Sequence, residues 1–434
     1  NTLIILQQQK SEKDLQSKFD KRNIFYVIAP YCKIIKAECF AKFKNLRYAW
    51  LPSLKKIEKY AFHLCYSLFT IDSNMLSHIE SGAFSTCFCL SSLNLDQVQK
   101  IDGYVFSSSY SFQILKANKL TELQNEQFKP CDQLFYVDCG SLNICDKQFQ
   151  NKKLKFIRTP LLSHNTIELQ KSAHVCKETA IMNKECKIID PFPDIAEFIQ
   201  FEPSKKQLME SQMQNRLSYD KYDTILISSQ SIIPKTSQQI RGLVLSQIQE
   251  IQMEQFYQHS SLLFAHCPNV HTVEEGAFSR CQSLRRFFSN KLQIIEQNAF
   301  FACLSLSYIS SRNLEQIGDS SFGCCQSIVS LTFNKLIHLP SLSFERCQGL
   351  RQLIIPKLRS VGVDVFSSCE NEIVIVSPYQ PETKVDKSSF RTTPLRFQEI
   401  LAGRFVERSK FQVAVQMQKE KNKTIVIMTK FLRR

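Results

Sequence analysis

The chain carries 17 cysteines and eight histidines, the residue types best suited to ligate a transition metal or act as nucleophiles. Spacing decides whether they can. A zinc site needs close ligand pairs such as Cys-x-x-Cys or His-Glu-x-x-His, so that a short stretch of backbone aims two side chains at one ion. Neither pattern occurs. Cys324–Cys325 and Cys87-Phe88-Cys89 have no histidine at ligand spacing, and His63, His78, His266, His271 and His338 fall at differing positions. The paired carboxylates Glu274–Glu275 read as a solvated turn rather than an acid and its base. With 10 glycines in 434 residues, the chain shows no phosphate-cradling loop and no nucleophile elbow. The expectation is a non-enzymatic protein with no catalytic residue, no metal and no cofactor.

Eight of the cysteines do share a position. Cys65, Cys87, Cys131, Cys281, Cys303, Cys325, Cys347 and Cys369 each follow a phenylalanine by three residues. Those phenylalanines belong to two ladders with a step of 22: Phe40, Phe62, Phe84, Phe106 and Phe128, then Phe256, Phe278, Phe300, Phe322, Phe344 and Phe366. A fixed period of this length marks a solenoid, whose coils cannot bury their own apolar face and must stack on neighbours. Counting Phe as zero, the copy at Phe278 continues with Cys281, Leu284, Phe287, Leu292 and Ile295, and the copy at Phe300 with Cys303, Leu306, Ile309, Leu314 and Ile317. Alternation from plus 9 to plus 11 predicts a short strand, and identical stacked strands predict a parallel sheet with neighbours about 4.8 Å apart. Asn74, Asn118, Asn290 and Asn334 at plus 12 suit the turn that follows.

A column of one residue type at one slot is a packing column, because Cys behaves as a small buried hydrophobe. Stacked thiols point the same way, which is poor geometry for a bridge. Free thiols favour a reducing, cytoplasmic compartment, with cell-surface or secreted as the alternative. A hydroxyl in this column, as in Cys303→Ser, is expected to cost about 1–3 kcal/mol, although Ser109 already occupies the slot in one copy.

The segments LPSLKKIEKYAFHLCYSL and VEEGAFSRCQSL closely resemble leucine-rich repeats of the BspA-like (Treponema-type) class. The resemblance spans residues 23–150 and 240–376, with a 22-residue coil and the post-strand proline surviving only in places such as Pro52 and Pro356. It implies a leucine-rich-repeat fold and a role in adhesion or protein binding, and it does not imply catalysis.

The fold class expected is a β-rich repeat solenoid, a parallel leucine-rich-repeat sheet of 22-residue coils in two blocks. Residues 1–22 read as a polar, frayed helix; 23–165 form the first block and 223–380 the second. Residues 166–222 read as a degenerate connector, with 204–222 a helix or linker. LKFIRTP and EIVIVSP look like the closing strands of the two blocks. No apolar run is long enough to span a membrane. The opening NTLIILQQQK is too short and lacks the basic start of a signal peptide, though a chain that begins with Asn fits a fragment or a processed form.

Charge adds one more feature. The net charge is +15, and the 51 residues from Lys384 to Arg434 hold 13 basic and 4 acidic residues. Within it, FQVAVQMQKEKNKTIVIMTKF reads as a hairpin with Lys419, Lys421 and Lys423 at its tip. It could touch nucleic acid, an acidic membrane or an acidic protein, and a solubilising tail is the plainer alternative. Asn422 begins a single glycosylation sequon. The main expectation for function lies elsewhere, on the strand residues at plus 8 and plus 10, which should point outward. Of these, Lys116, Tyr136, Arg286, Phe288, Tyr308 and Gln352 are the candidate contacts for a protein partner. A spacer or surface-coat protein, or a basic anchor through residues 384–434, are the competing readings.

Overall fold

The computed structural model describes residues 2–6, 21, 24–145, 156–162 and 225–395 apart from short gaps, with 174–176, 217–219 and four residues between 413 and 420. Its unit is the coil, and three kinds of ladder join successive coils, the strand ladders being interrupted among the described residues after Thr70–Asp72 in the first block and after Tyr308–Ile309 in the second. The first is the expected parallel sheet. Tyr26–Ile28, Tyr48–Trp50 and Thr70–Asp72 pair in step, as do Phe264–His266, Arg286–Phe288 and Tyr308–Ile309. The strands occupy plus 8 to plus 10, one residue earlier than the alternation suggested. The second ladder was not anticipated: Lys56–Ile57, His78–Ile79 and Lys100–Ile101 pair in parallel, as do Glu250–Ile251, Thr272–Val273 and Ile294–Ile295. Its inward residue is the aliphatic that the repeat carries at plus 17.

The third ladder runs beside the phenylalanine. Residues two before and two after it take left-handed backbone angles, for example Tyr60 (φ 55°) and Leu64 (φ 61°) around Phe62. That conformation costs an L-residue roughly 1–2 kcal/mol, so something must hold it. The amides of Tyr60, Phe62 and Leu64 all donate to the next coil, to the carbonyls of Ser81 (3.2 Å), Ala83 (2.9 Å) and Ser85 (3.0 Å). The left-handed residues rotate three alternate N–H groups onto one side, where the neighbouring coil accepts them. Four residues before Phe, Glu58, Glu80, Glu274 and Glu296 each accept an amide of the preceding coil, from Ala37, Lys59, Met253 and Glu275. Gly318 takes this slot in the Phe322 coil, and a Cβ there would meet Gln297 N at 2.4 Å, so the backbones close up where no acid bridges them.

Inside the coils the rings stack. Phe278, Phe300 and Phe322 are each fully buried, with successive centroids 5.3 and 5.9 Å apart and planes inclined by 6°. The cysteine column lies beside them and does more than fill space. Cys65, Cys281 and Cys303 donate their S–H to the carbonyls of Phe40 (3.1 Å), Phe256 (3.0 Å) and Phe278 (3.2 Å). Ser109 makes the same bond to Phe84, at 2.7 Å. The slot thus holds a small donor in these coils, and a hydroxyl makes the same bond as a thiol. All 15 described cysteines are free thiols, and burial pushes the column thiols well above the usual range.

Two hydrophobic cores result, one running from Leu3 to Leu162 and the other from Leu226 to Ile375. Strand pairing in both blocks extends beyond the segments read as their limits. Thr2–Ile4 is not helical but pairs in parallel with Tyr26–Ile28, because Leu3 and Ile5 are apolar enough to join the core. His174–Cys176 pairs beyond Phe156–Arg158, and Ser388–Arg391 pairs beyond Ile373–Val376. Leu217–Tyr219, within the presumed connector, lies antiparallel to Ile225–Ser228 and covers the opening edge of the second block. The described residues of the expected basic hairpin, Val413, Gln416, Met417 and Glu420, are helical. Gln416 donates to Glu420 at 3.0 Å, a bond one helical turn long.

The coil packing makes two expectations concrete. Phe300→Ala should cost about 3–5 kcal/mol. Hydrogen exchange should show the lost protection concentrated in residues 225–376, since coils couple mainly to their neighbours; equal losses in both blocks would contradict this. Cys303→Ser should be close to neutral in urea melts, because the Phe278 carbonyl still receives a donor. Cys303→Ala should cost on the order of 1 kcal/mol, and more if the vacated volume does not relax.

Candidate partner-binding face

The outward strand residues do not form one uniformly open face. In the second block the register sets Phe264 opposite Arg286 opposite Tyr308, and His266 opposite Phe288. These side chains form one stacked group. The Arg286 guanidinium lies 4.9 Å from the Tyr308 ring centroid and 5.8 Å from that of Phe288. His266 stacks on Phe288 at 4.7 Å with planes inclined by 9°. Phe264 lies over Gly242, where a Cβ would meet its ring at 2.3 Å, so the strip begins on a position with no side chain.

Exposure divides the six candidates. Tyr308 is 38% exposed, Phe288 is half-buried and Lys116 is exposed. Arg286, Gln352 and Tyr136 are buried, which corrects the expectation that every outward slot meets solvent. Arg286 is covered because flat rings stack against its own plane. Gln352 is covered from the C-terminal side: its side-chain oxygen accepts the Leu395 amide at 2.6 Å, and its amide faces Ser330 Oγ at 3.4 Å. Tyr136 sits between Ile114 and Phe156 in the sheet interior, beside the buried ion pair of Asp138 and Arg158. Arg158 also donates to Asn118 Oδ1 at 2.6 Å. Arg286, Phe288 and Tyr308 are thus brought together, Lys116 and Tyr136 lie on adjacent strands of the other block, and Gln352 is engaged within the chain.

His266 was not among the candidates because the outward slots of the second block were read from the Phe278 coil onward. Counting ten from Phe256 places it on the outward face. Among the described residues no group of three or more His, Cys, Asp or Glu could hold a metal ion, and no helix is long and apolar enough to cross a membrane.

Burial, with Arg286 beside it, holds the His266 imidazole neutral and draws its pKa down from 6.5 to about 4. The unfolded chain therefore binds the proton more readily than the folded one. The stabilising contribution is complete above about pH 6.5 and is lost as pH falls toward 4, by about 2–3 kcal/mol at pH 4.5. Urea melts at pH 7 and 4.5 should show a fall of that size in the second block, and His266→Gln should flatten it. An unchanged pH dependence in the variant would assign the effect to other groups.

The model of the BspA type leucine rich repeat region matches residues 33–155 and 245–397, with 6 copies. Among curated proteins none matches. Of solved structures, the chain is similar to a leucine-rich repeat protein of Bacteroides ovatus at 17% identity and a TM-score of 0.24, covering 83% of this chain and 87% of that one. A leucine rich cell surface protein of Faecalibacterium prausnitzii is similar at 15% identity and 0.26, with coverage of 83% and 87%. The T. pallidum leucine rich repeat protein reaches 23% identity and 0.24, over 35% of this chain and 84% of that one. The family match spans well over half of the 434 residues and coincides with the stacked coils, so the chain belongs to the BspA-type leucine-rich-repeat family.

Proposed function

We propose that this protein is a non-enzymatic scaffold that binds a protein partner through the outward strip of its second block. The observation that carries the reading is the exposed edge of Tyr308 and the half-exposed ring of Phe288, both held rigid against the buried guanidinium of Arg286. Aromatic side chains fixed in place before contact lose little conformational freedom on binding, and they recur as the dominant contacts of interfaces. Around them the outward slots hold Ser310, Ser330 and Thr332, short side chains that leave the rings proud of the sheet. The resemblance to repeat proteins of adhesion and protein binding supports the same reading. Lys116, on the first block, adds an exposed charge at the equivalent slot. Tyr136 and Gln352 act in this reading as supports of the face rather than as contacts.

The test uses the 434-residue chain as bait, with Phe288→Ala and Tyr308→Ala combined and Arg286 left intact because its removal would disturb packing. A partner recovered by the parent protein should bind the double variant at least about tenfold more weakly, from a hot-spot loss of about 2 kcal/mol or more. Circular dichroism should be unchanged. Equal affinity for the two baits would rule out this strip as the binding face.

A further inference from the structure

The two blocks touch, and they touch through matching slots. At plus 5, Ser67 of the first block accepts a hydrogen bond from Ser327 of the second at 3.5 Å, and Cys89 receives one from Ser305 at 3.0 Å. At plus 7, the Arg285 guanidinium lies 4.9 Å from the Phe69 ring centroid. At plus 4, Lys44 pairs with Glu370, and nearby Arg47 donates to the Ser327 carbonyl. Two small apolar clusters complete the contact: Phe69, Cys89, Val244, Leu263 and Phe264 in one, and Phe25, Tyr26 and Val329 in the other. Early coils of the first block meet late coils of the second, since Phe25 clusters with Val329 while the later Phe69 clusters with the earlier Leu263. The same flank is thus used twice, in antiparallel order, as in an isologous dimer interface built within one chain.

This contact differs in kind from the coil cores. Each core is a continuous column of apolar residues from one end of its block to the other. The contact between blocks is two patches separated by serines, guanidinium groups and a rim ion pair. Interfaces of this polarity between units of one chain separate readily unless they are large and apolar. We propose that the flank contact is a clasp: the two solenoids part and re-dock as intact bodies, while their coils stay folded. Opening uncovers Phe264, at plus 8, and so lengthens the outward strip that Arg286 and Tyr308 continue, while Tyr26 is uncovered at the same slot of the first block. That last consequence rests on the binding role proposed above; the clasp itself does not.

Two neighbouring thiols report on it. Cys87 lies in the core column and donates to the Phe62 carbonyl, whereas Cys89 lies in the clasp. In the native protein with both blocks present, iodoacetamide followed by peptide mass mapping should find Cys89 labelled well ahead of Cys87. Phe69→Ala or Glu370→Lys should speed labelling of Cys89 about tenfold and leave Cys87 unchanged. If Phe69→Ala unfolds the first block, both thiols will label together, and the rim variant Glu370→Lys then decides the matter alone. Ser305→Cys adds a thiol against Cys89, and mild oxidation should give an intramolecular bridge between the two positions. Cys89 as protected as Cys87 in the parent and in Glu370→Lys would overturn the proposal, as would absence of the bridge. Neither readout depends on a partner, so failure of the clasp and failure of the binding face are distinguishable.

Discussion

Each coil of this protein relies on the next to satisfy its backbone. At the sheet, at the short second ladder and at the phenylalanine turn, hydrogen bonds leave the coil and end about 22 residues away. A buried amide left without a partner is expensive, so the step between coils cannot drift. That single constraint explains why rings, thiols and glutamates recur at fixed slots. A residue shifted by one position would lose its place in a column and its bond to the neighbouring coil together. It also explains how left-handed angles are tolerated on ordinary residues such as Leu64, Ala302 and Asp364. Strain at one residue is offset by an interaction that only a stacked copy can provide.

Much of this was legible in the sequence. The phenylalanine ladder, the cysteine slot and the inward aliphatics all name residues that stacking buries, and periodicity detects burial well. Three features were not legible, for separate reasons. The second ladder is two residues long in each coil, too short for alternation to register. The donor role of the cysteines is invisible to hydropathy, which scores Cys as apolar; Ser109 was the one hint that the slot asks for a donor. The contact between blocks depends on plus 5 and plus 7, where Ser67, Cys89, Phe69 and Arg285 share neither polarity nor size. A period shows that these positions are equivalent within the solenoid, but not that two such flanks meet.

The candidate face shows the same division. Period-2 logic placed Arg286, Phe288 and Tyr308 on one side of the sheet, and they are there. Exposure did not follow from direction, because outward residues acquire other neighbours. Gln352 is engaged by Leu395, Tyr136 lies within a sheet beside a buried ion pair, and Arg286 is shielded by the rings it supports. Direction is a property of the strand, whereas accessibility depends on everything that folds against it.

The phenylalanine turn has an electrical consequence. Ordinary parallel strands alternate the sense of their amides, so their dipoles largely cancel. At this turn the amides two before, at and two after the phenylalanine all point toward the following coil, as in Arg280, Phe278 and Gly276 donating to Phe301, Ala299 and Gln297. Elsewhere in the same coil the sense is reversed: Arg285, Gln293 and Glu296 donate back to Leu263, His271 and Val273 of the preceding coil. The two sets of peptide units oppose each other across the section of the coil, so their axial dipoles offset one another rather than adding along the stack. What remains is a local polarity: the turn side of each solenoid offers amides toward its C-terminal end, and the opposite side offers carbonyls there.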